Sequence, residues 1–439
     1  MMAAMGDLTL VAELDRRFHQ RDGWLLPALV TLLVERGHLD AVRHQAAAGD
    51  WHCLRALADL RVAAGDVDGA VELLRPVAGT GWWVAVEALA GVLAGHDRAG
   101  EAVALVRPFA EAGDRPALEL LVTLLAGQGL IDEVVALLRP HPVLSGMLVR
   151  LTDGHGRDDE VAAVLTAALE DAPDRGFVLT CLATVLDRQG RFDQAYSVLR
   201  GNLGHGTFRP LAELLGRHGR GELLRELAAT GDGRYAAERL AELREREGHV
   251  ESAIEALRPF VDGGRRNAKP ALAALLDRHG RTEEAVALLR TMTRKPPPGN
   301  ERWLADTLGT LLLRLGRPEE ALAAIDEIAA SQCGMWFELL QSRTRLLVAD
   351  GRTDQAIDEV HAHPEGSAAH GVALLAELLA GAGRLDEAVE ALWPYRVTRR
   401  HDLAMLLVRQ GRVDLAITVA TSPADSHDAG ESVMPVPAS

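Results

Sequence analysis

Apolar residues recur along this chain at helical spacing, in short runs that halt at a glycine and then resume. Leu179, Leu182, Ala183 and Leu186 form one such stripe, closed by Gly190. After Gly280 the stripe restarts as Ala285, Leu288 and Leu289. This is the period of an amphipathic helix, so each stretch predicts two short helices joined by a tight turn. The turn has a recurring phrase, G-x-x-x-A, seen as GDVDGAVELLRP from Gly65, GRTEEAVALLR from Gly280, GRPEEALAAI from Gly316 and GRLDEAVEALWP from Gly383. The glycine suits the left-handed position that ends a helix. An acid follows within three residues, at the positive end of the next helix.

Taking the turn residue as a marker places units at Gly37, Gly65, Asp97, Gly129, Gly156, Gly190, Gly219, Gly248, Gly280, Gly316, Gly351, Gly383 and Gly411. The Asp97 unit is found by matching VALVRP to VELLRP. The mean spacing is about 31 residues, the length of a helical-hairpin repeat. Leu stands eight residues before twelve of the thirteen markers, from Leu29 to Leu403, with Arg343 the exception. The next residue is small or β-branched throughout. Five residues after the marker comes Ala in nine units, for example Ala70, Ala195 and Ala285, and Val or Leu in the others. Large beside small, then small again on the second helix, lets two helices cross closely. A single hairpin cannot bury its own apolar faces, so the hairpins must stack.

These positions resemble the tetratricopeptide repeat over Leu10 to Ala420, with linkers such as AAAGDW from Ala46 and AEAGDR from Ala110 similar to Sel-type repeats. The resemblance is to repeat proteins of the kind found in high-GC actinobacteria, and the Arg-rich, Lys-poor composition (only Lys269 and Lys295) fits such a genome. It implies an all-α fold, an α-α superhelix of about 12–13 helical hairpins. Two features depart from the family: its Trp and Tyr positions are mostly aliphatic here, and its repeat-end Pro is missing. Instead Pro76, Pro108, Pro140, Pro259 and Pro394 stand eleven residues past their markers, where proline predicts a second helix that stops or kinks early.

The segment Lys295 to Asn300, KPPPGN, is the strongest internal punctuation. It divides the chain into a repeat array over 1–294 and another over 301–420, with continuity across the break left open. The stretch around Gly156 is the poorest match to the repeat. Residues 421–439 carry no apolar period and read as a disordered tail.

Charge and cysteine content narrow the function. A net charge of −16 disfavours a nucleic-acid role, since phosphate binding needs a basic face. No run is long and apolar enough to span a bilayer and no secretory signal is visible, so a cytoplasmic protein without membrane contact is expected. Cys53, Cys181 and Cys333 form no C-x-x-C pair and read as buried free thiols.

No nucleotide-binding, metalloprotease or nucleophile-elbow motif is present, so no enzyme activity, cofactor or metal is expected. His361, His363 and His370 sit in what reads as a linker and are expected to be solvent-exposed. Trp82 and Trp83 read as packing between repeats. The acid pairs Glu283–Glu284 and Glu319–Glu320 are accounted for by the helix dipole, and Arg239 to Glu247 by a solvated mixed-charge face.

What remains is the groove. The tetratricopeptide resemblance implies that first helices line a concave face, with side chains six, ten and thirteen residues before the marker pointing into it. By register these include Arg209, Glu213, Tyr235, Glu238, Glu242, Trp303, Asp306 and Arg345. The acidic cluster Glu213, Glu238 and Glu242, beside Tyr235 and Arg209, suits a basic or extended peptide. The expected function is a non-catalytic scaffold or adaptor holding protein or peptide partners, with self-association left open. The alternative is a ligand- or peptide-sensing regulatory arm acting with a separate effector chain. Least favoured is an α-helical toroid enzyme, which would require converging carboxylates.

Overall fold

The computed structural model describes residues 8–20, 23–230, 233–263, 268–296, 298–332 and 334–422. Among them every regular element is helical, and no strand occurs. The chain is an all-α solenoid of thirteen hairpins preceded by one helix, Leu8–Gln20. Each hairpin is identified here by its turn residue. The Gly37 hairpin pairs Pro27–Glu35 with Leu39–Ala47, the Gly65 hairpin Trp51–Ala63 with Val67–Ala78, and the Asp97 hairpin Trp83–Ala94 with Ala99–Glu111. In the middle of the chain, Arg234–Arg246 pairs with Val250–Asp262 about Gly248, and Ala268–Arg278 with Thr282–Arg290 about Gly280. Glu301–Arg314 pairs with Pro318–Ser331 about Gly316, and Arg400–Arg409 with Val413–Thr421 about Gly411.

All thirteen turn residues have positive φ, from 56° at Asp97 to 81° at Gly65 and Gly411. Asp97 is the one non-glycine with positive φ among the described residues. A side chain pays for that backbone in strain against its own carbonyl, and Asp tolerates it better than most. At Gly65 or Gly248 an added Cβ would meet nothing within 4 Å, so backbone conformation alone selects glycine there. Stability at position 97 is therefore expected to run Gly above Asp above Ala, with steps of about 0.5–1 kcal/mol. Thermal unfolding of D97G and D97A checks the order, and a more stable alanine variant would contradict it.

The residue five past each marker is fully buried in every hairpin, whether Ala, Val or Leu. Alanine fills the position in nine of the thirteen, which suits two helices packed closely. Arg343 stands where the other hairpins have Leu, and its guanidinium reaches Glu359 on the second helix of the same hairpin at 2.7 Å. The Gly156 hairpin has a first helix of only seven residues, Ser145–Leu151, after a 3-10 turn at Pro142–Leu144. Arg188 of the next hairpin ties it down, donating to the Val149 carbonyl at 2.6 Å and to Thr152 Oγ1 at 3.1 Å, and pairing with Asp158 at 2.5 Å.

The proline expectation holds only in part. Pro140 and Pro394 follow the ends of Ile131–Leu138 and Leu385–Leu392. Pro76, Pro108 and Pro259 instead lie inside helices that run on to Ala78, Glu111 and Asp262. These three second helices are 12, 13 and 13 residues long, against 9 for Phe192–Arg200 and Thr282–Arg290. Near a C-terminus proline forfeits one backbone bond, and the last turn tolerates that loss.

The chain divides into two compact units. One comprises residues 1–124 with 336–439, and the other residues 125–335. In the first unit Pro27–Glu35 packs against Arg400–Arg409, so the first and last hairpins touch. The second unit contains the Pro-rich segment, of which Pro297 lies outside the described residues. The helices on either side of it, Thr282–Arg290 and Glu301–Arg314, pack against one another. Residues 423–439, most of the expected tail, also lie outside the described residues, as does Cys333.

Candidate functional site

The residue after the marker is Arg in nine hairpins, and it organises the acids around it. Arg98 pairs with Asp68 of the preceding hairpin at 2.9 Å and with its own Glu101 at 2.7 Å. Arg281 repeats this with Glu251 at 2.8 Å and Glu284 at 2.5 Å, and Arg317 with Glu283 at 2.8 Å and with Glu320. Arg384 bridges Asp354 and Glu387 in the same way. The acid pairs after the turn thus do more than answer the helix dipole, since each belongs to an arginine ladder linking neighbours. Pairs this exposed add little to stability, so the ladder sets register more than stability.

Two of the three clustered histidines have local partners, His363 accepting from Glu365 N at 3.1 Å. His361 is in the last turn of Thr353–Ala362 and His370 in the first turn of Ala369–Gly381, so both lie on helices and not in a linker. His370 pairs with Glu365 at 2.8 Å and stands edge-on to Phe337 with centroids 4.4 Å apart. Burial raises the Cys53 thiol pKa and pushes that of Cys181 up to about 11, which leaves both as inert protonated thiols.

Seven of the eight residues singled out by register lie in the second unit. Three of its first helices, Arg234–Arg246, Ala268–Arg278 and Glu301–Arg314, enclose a groove of about 570 Å³. Glu238, Glu242 and Trp303 line it directly, together with Glu245, Asp277 and Arg278. Its floor is made of small residues, Pro270, Ala271 and Ala274. Tyr235 sits at the start of the same wall, with the Arg234 guanidinium 4.4 Å and the Arg209 guanidinium 5.8 Å from its ring centroid. Arg209 pairs with Glu213 at 2.9 Å. Asp306 lies one turn beyond Trp303, near Arg302 at 3.8 Å. Arg345 is in the other unit, where it donates to the Gln341 carbonyl at 3.3 Å.

The groove acids are held by arginines. Glu238 pairs with Arg234 at 2.7 Å, Glu242 with Arg239 at 2.5 Å, and Asp277 with Arg314 at 2.5 Å. Glu245 takes Arg278 and His279, both at 2.8 Å, so the face from Arg239 to Glu247 is a cross-link between hairpins as well as a solvated surface. The hydrogen bonds from Arg278 and Arg314 hold the Glu245 and Asp277 carboxyls below the usual carboxylate range, so both are ionised at neutral pH. The lining has one hydroxyl, Thr307, neither His nor Cys, and four carboxylates, Glu238, Glu242, Glu245 and Asp277. Among the described residues no three His, Cys, Asp or Glu side chains converge as metal ligands, and no helix is long and apolar enough to cross a membrane.

Two residues complete the face that the register argument did not single out. Val143 is 57% exposed, Phe177 40%, Tyr235 38% and Trp303 37%. All four stand thirteen residues before their markers and all lie in the second unit. Phe177 leans over Gly146, where an added Cβ would come within 3.0 Å of the ring. Gly206 interrupts the row, and Asn267, at the same register, lies outside the described residues. Trp24 stands at the same register in the first hairpin but is buried, so exposure and not residue type marks these four.

No family model matches the chain, and no curated protein matches it. Among solved structures it is similar to Naa15/Naa10 bound to HypK-THB, with 14% identity over 86% of this chain and 68% of that chain, at a TM-score of 0.35. The pentatricopeptide repeat protein PPR10 from maize is 18% identical, with a TM-score of 0.38. That match covers 90% of this chain and spans 61% of the maize protein. The human IFIT1 dimer with m7Gppp-AAAA is 14% identical over 78% of this chain and 88% of that chain, at 0.31. At these values none of the three tells what this chain binds.

Proposed function

We propose that this chain is a non-catalytic scaffold or adaptor, holding extended segments of partner proteins along the first-helix face of its second unit. The observation that carries this reading is the row of exposed large apolar side chains at one register, ending at a groove walled by Trp303. Exposed helix surface is normally polar, and aromatic side chains kept in water are disproportionately binding anchors. Both rings sit on rigid helices, so little order must be imposed on binding.

The test compares wild-type chain with a Y235S/W303S variant as crosslinking baits. Wild-type crosslinks should map to Arg234–Arg246 and Glu301–Arg314 and fall at least fivefold in the variant, with helical circular dichroism unchanged. Crosslinks of equal yield in both proteins would overturn the reading.

A further inference from the structure

We infer that the Trp303 groove is a seat for arginine or lysine side chains of an extended basic segment. This rests on the reading above, that the face holds protein segments, and says which kind. Glu238, Glu242 and Glu245 stand at i, i+4 and i+7 on Arg234–Arg246, so one stripe of carboxylates forms a wall. Trp303 lines the groove from Glu301–Arg314, and between them the floor is Pro270, Ala271 and Ala274. A long aliphatic stem with a charged tip satisfies all three surfaces at once. Its methylenes cover the alanines and its cation meets the carboxylates, while the indole face adds a cation–π contact. The lining carries four carboxylates against two guanidinium groups, so an anionic tip would meet a net negative surface, which sets a phosphate backbone at a disadvantage.

Tyr235 displays the same chemistry with the chain's own atoms, since the Arg209 and Arg234 guanidinium groups lie 5.8 and 4.4 Å from its ring centroid. The intramolecular arginine partners do not close the groove to an incoming cation. Glu242 is the most exposed of the groove acids, its side chain 46% accessible, so its pair with Arg239 is the one an incoming cation can displace.

Register adds a spacing. Tyr235 and Trp303 occupy the same position two hairpins apart. Packed helices lie roughly 10 Å apart, so the two rings are separated by about 20 Å along the face. An extended chain advances about 3.3 Å per residue, so a cation in the Trp303 groove and one that displaces Arg209 from the Tyr235 ring stand about six residues apart.

The test uses fluorescence anisotropy with the full chain and four labelled probes. One is a 13-residue peptide with Arg at positions 1, 7 and 13 in a Gly/Ser/Pro background. The second replaces each Arg with Gln, the third places the three Arg side by side, and the fourth is a 13-nucleotide oligouridylate. The spaced-Arg peptide should bind at least tenfold more tightly than each of the other three. E238Q/E242Q should weaken it about tenfold, W303A should do likewise, and raising salt should weaken it in the wild type. Equal binding of the Gln peptide would overturn the cation seat. Equal binding of the adjacent-Arg peptide would overturn the spacing, and tighter binding of oligouridylate would overturn the choice of a protein segment. If no peptide binds while crosslinks still depend on Tyr235 and Trp303, the basic-segment inference fails and the groove reading stands.

Discussion

Replacing Trp82 with alanine is expected to cost about 3–5 kcal/mol, the largest single-residue loss in the first unit. The residue is 1% exposed and joins four parts of the chain. Its ring meets Trp51 of the Gly65 hairpin edge-on at 5.0 Å, Phe18 of the leading helix at 5.7 Å, and Trp24, which precedes the Gly37 hairpin, at 5.9 Å. Its Nε1 donates to Asp15 at 2.6 Å. Alanine leaves a cavity that cannot collapse, because each wall is a large ring held by a different element.

The loss should be local in an informative way. In a stacked array each hairpin is stabilised chiefly by its neighbours, so a defect spreads only through contacts. Hydrogen exchange is the right measurement, since an array of this length need not unfold in one step. Protection should fall by roughly two to four orders of magnitude in Leu8–Gln20, Trp51–Ala63 and Trp83–Ala94. Because Pro27–Glu35 packs against Arg400–Arg409, part of the loss should appear in the last hairpin, more than three hundred residues away in sequence. Arg234–Arg246 in the second unit should keep its protection. Full protection of Arg400–Arg409 in the variant would show that the end contact does not couple the two hairpins.

That end contact marks the limit of what the sequence discloses. The turns were legible because a left-handed backbone excludes most side chains, so glycine reports it directly. Even Asp97, found only by aligning VALVRP with VELLRP, has the positive φ of the other twelve markers. The residue five past the turn was legible because full burial there selects an apolar side chain, Ala in nine hairpins and Val or Leu in the others. Nothing in a repeat of about 31 residues says that the first hairpin meets the last. Curvature accumulates from small rotations between neighbours, and no single pair of residues encodes it. Proline misled for a related reason, since its effect depends on how many backbone bonds lie beyond it. At Pro76 the helix had two residues left to run, and it ran them.

The candidate face was half legible. Tyr235, Glu238, Glu242 and Trp303 follow from register alone, while Phe177 and Val143 needed exposure as a second criterion. The arginine ladder was written in the sequence as G-R at most turns. It went unread because the acids it binds already had an explanation in the helix dipole. The ladder also bears on acid stability. Glu101, Glu284, Glu320 and Glu387 are each held below the usual carboxylate range by a hydrogen bond from the arginine three residues earlier. Their contribution is present above the ordinary carboxylate pKa and lost as pH falls through the lowered value.

Asp50 should behave with the opposite sign, and removing it is the second large effect expected. Its carboxylate is 3% exposed, accepts from Leu25 N at 2.6 Å and from Cys53 N at 3.0 Å, and so fastens the entry to the Gly37 hairpin onto the cap of Trp51–Ala63. Alanine would strand two buried donors and remove the cap, a loss of about 2–4 kcal/mol. Burial raises the Asp50 pKa, and the hydrogen bonds from Cys53 and Leu25 offset only part of the rise. The folded state therefore holds this proton more tightly than the unfolded chain does. Its contribution is complete below the unfolded value near 3.8 and is lost as pH rises through the folded pKa. Asp50→Asn keeps one acceptor and removes the titration. It should cost about 1–2 kcal/mol at neutral pH, since the amide nitrogen opposes one of the two donors. Subtracting the variant's stability from the wild type's at each pH cancels the ladder acids, which titrate in both proteins. The difference should favour the wild type most at low pH and shrink as pH rises through the carboxylate range. A difference that grows with pH would mean that the two backbone donors outweigh desolvation and hold Asp50 ionised.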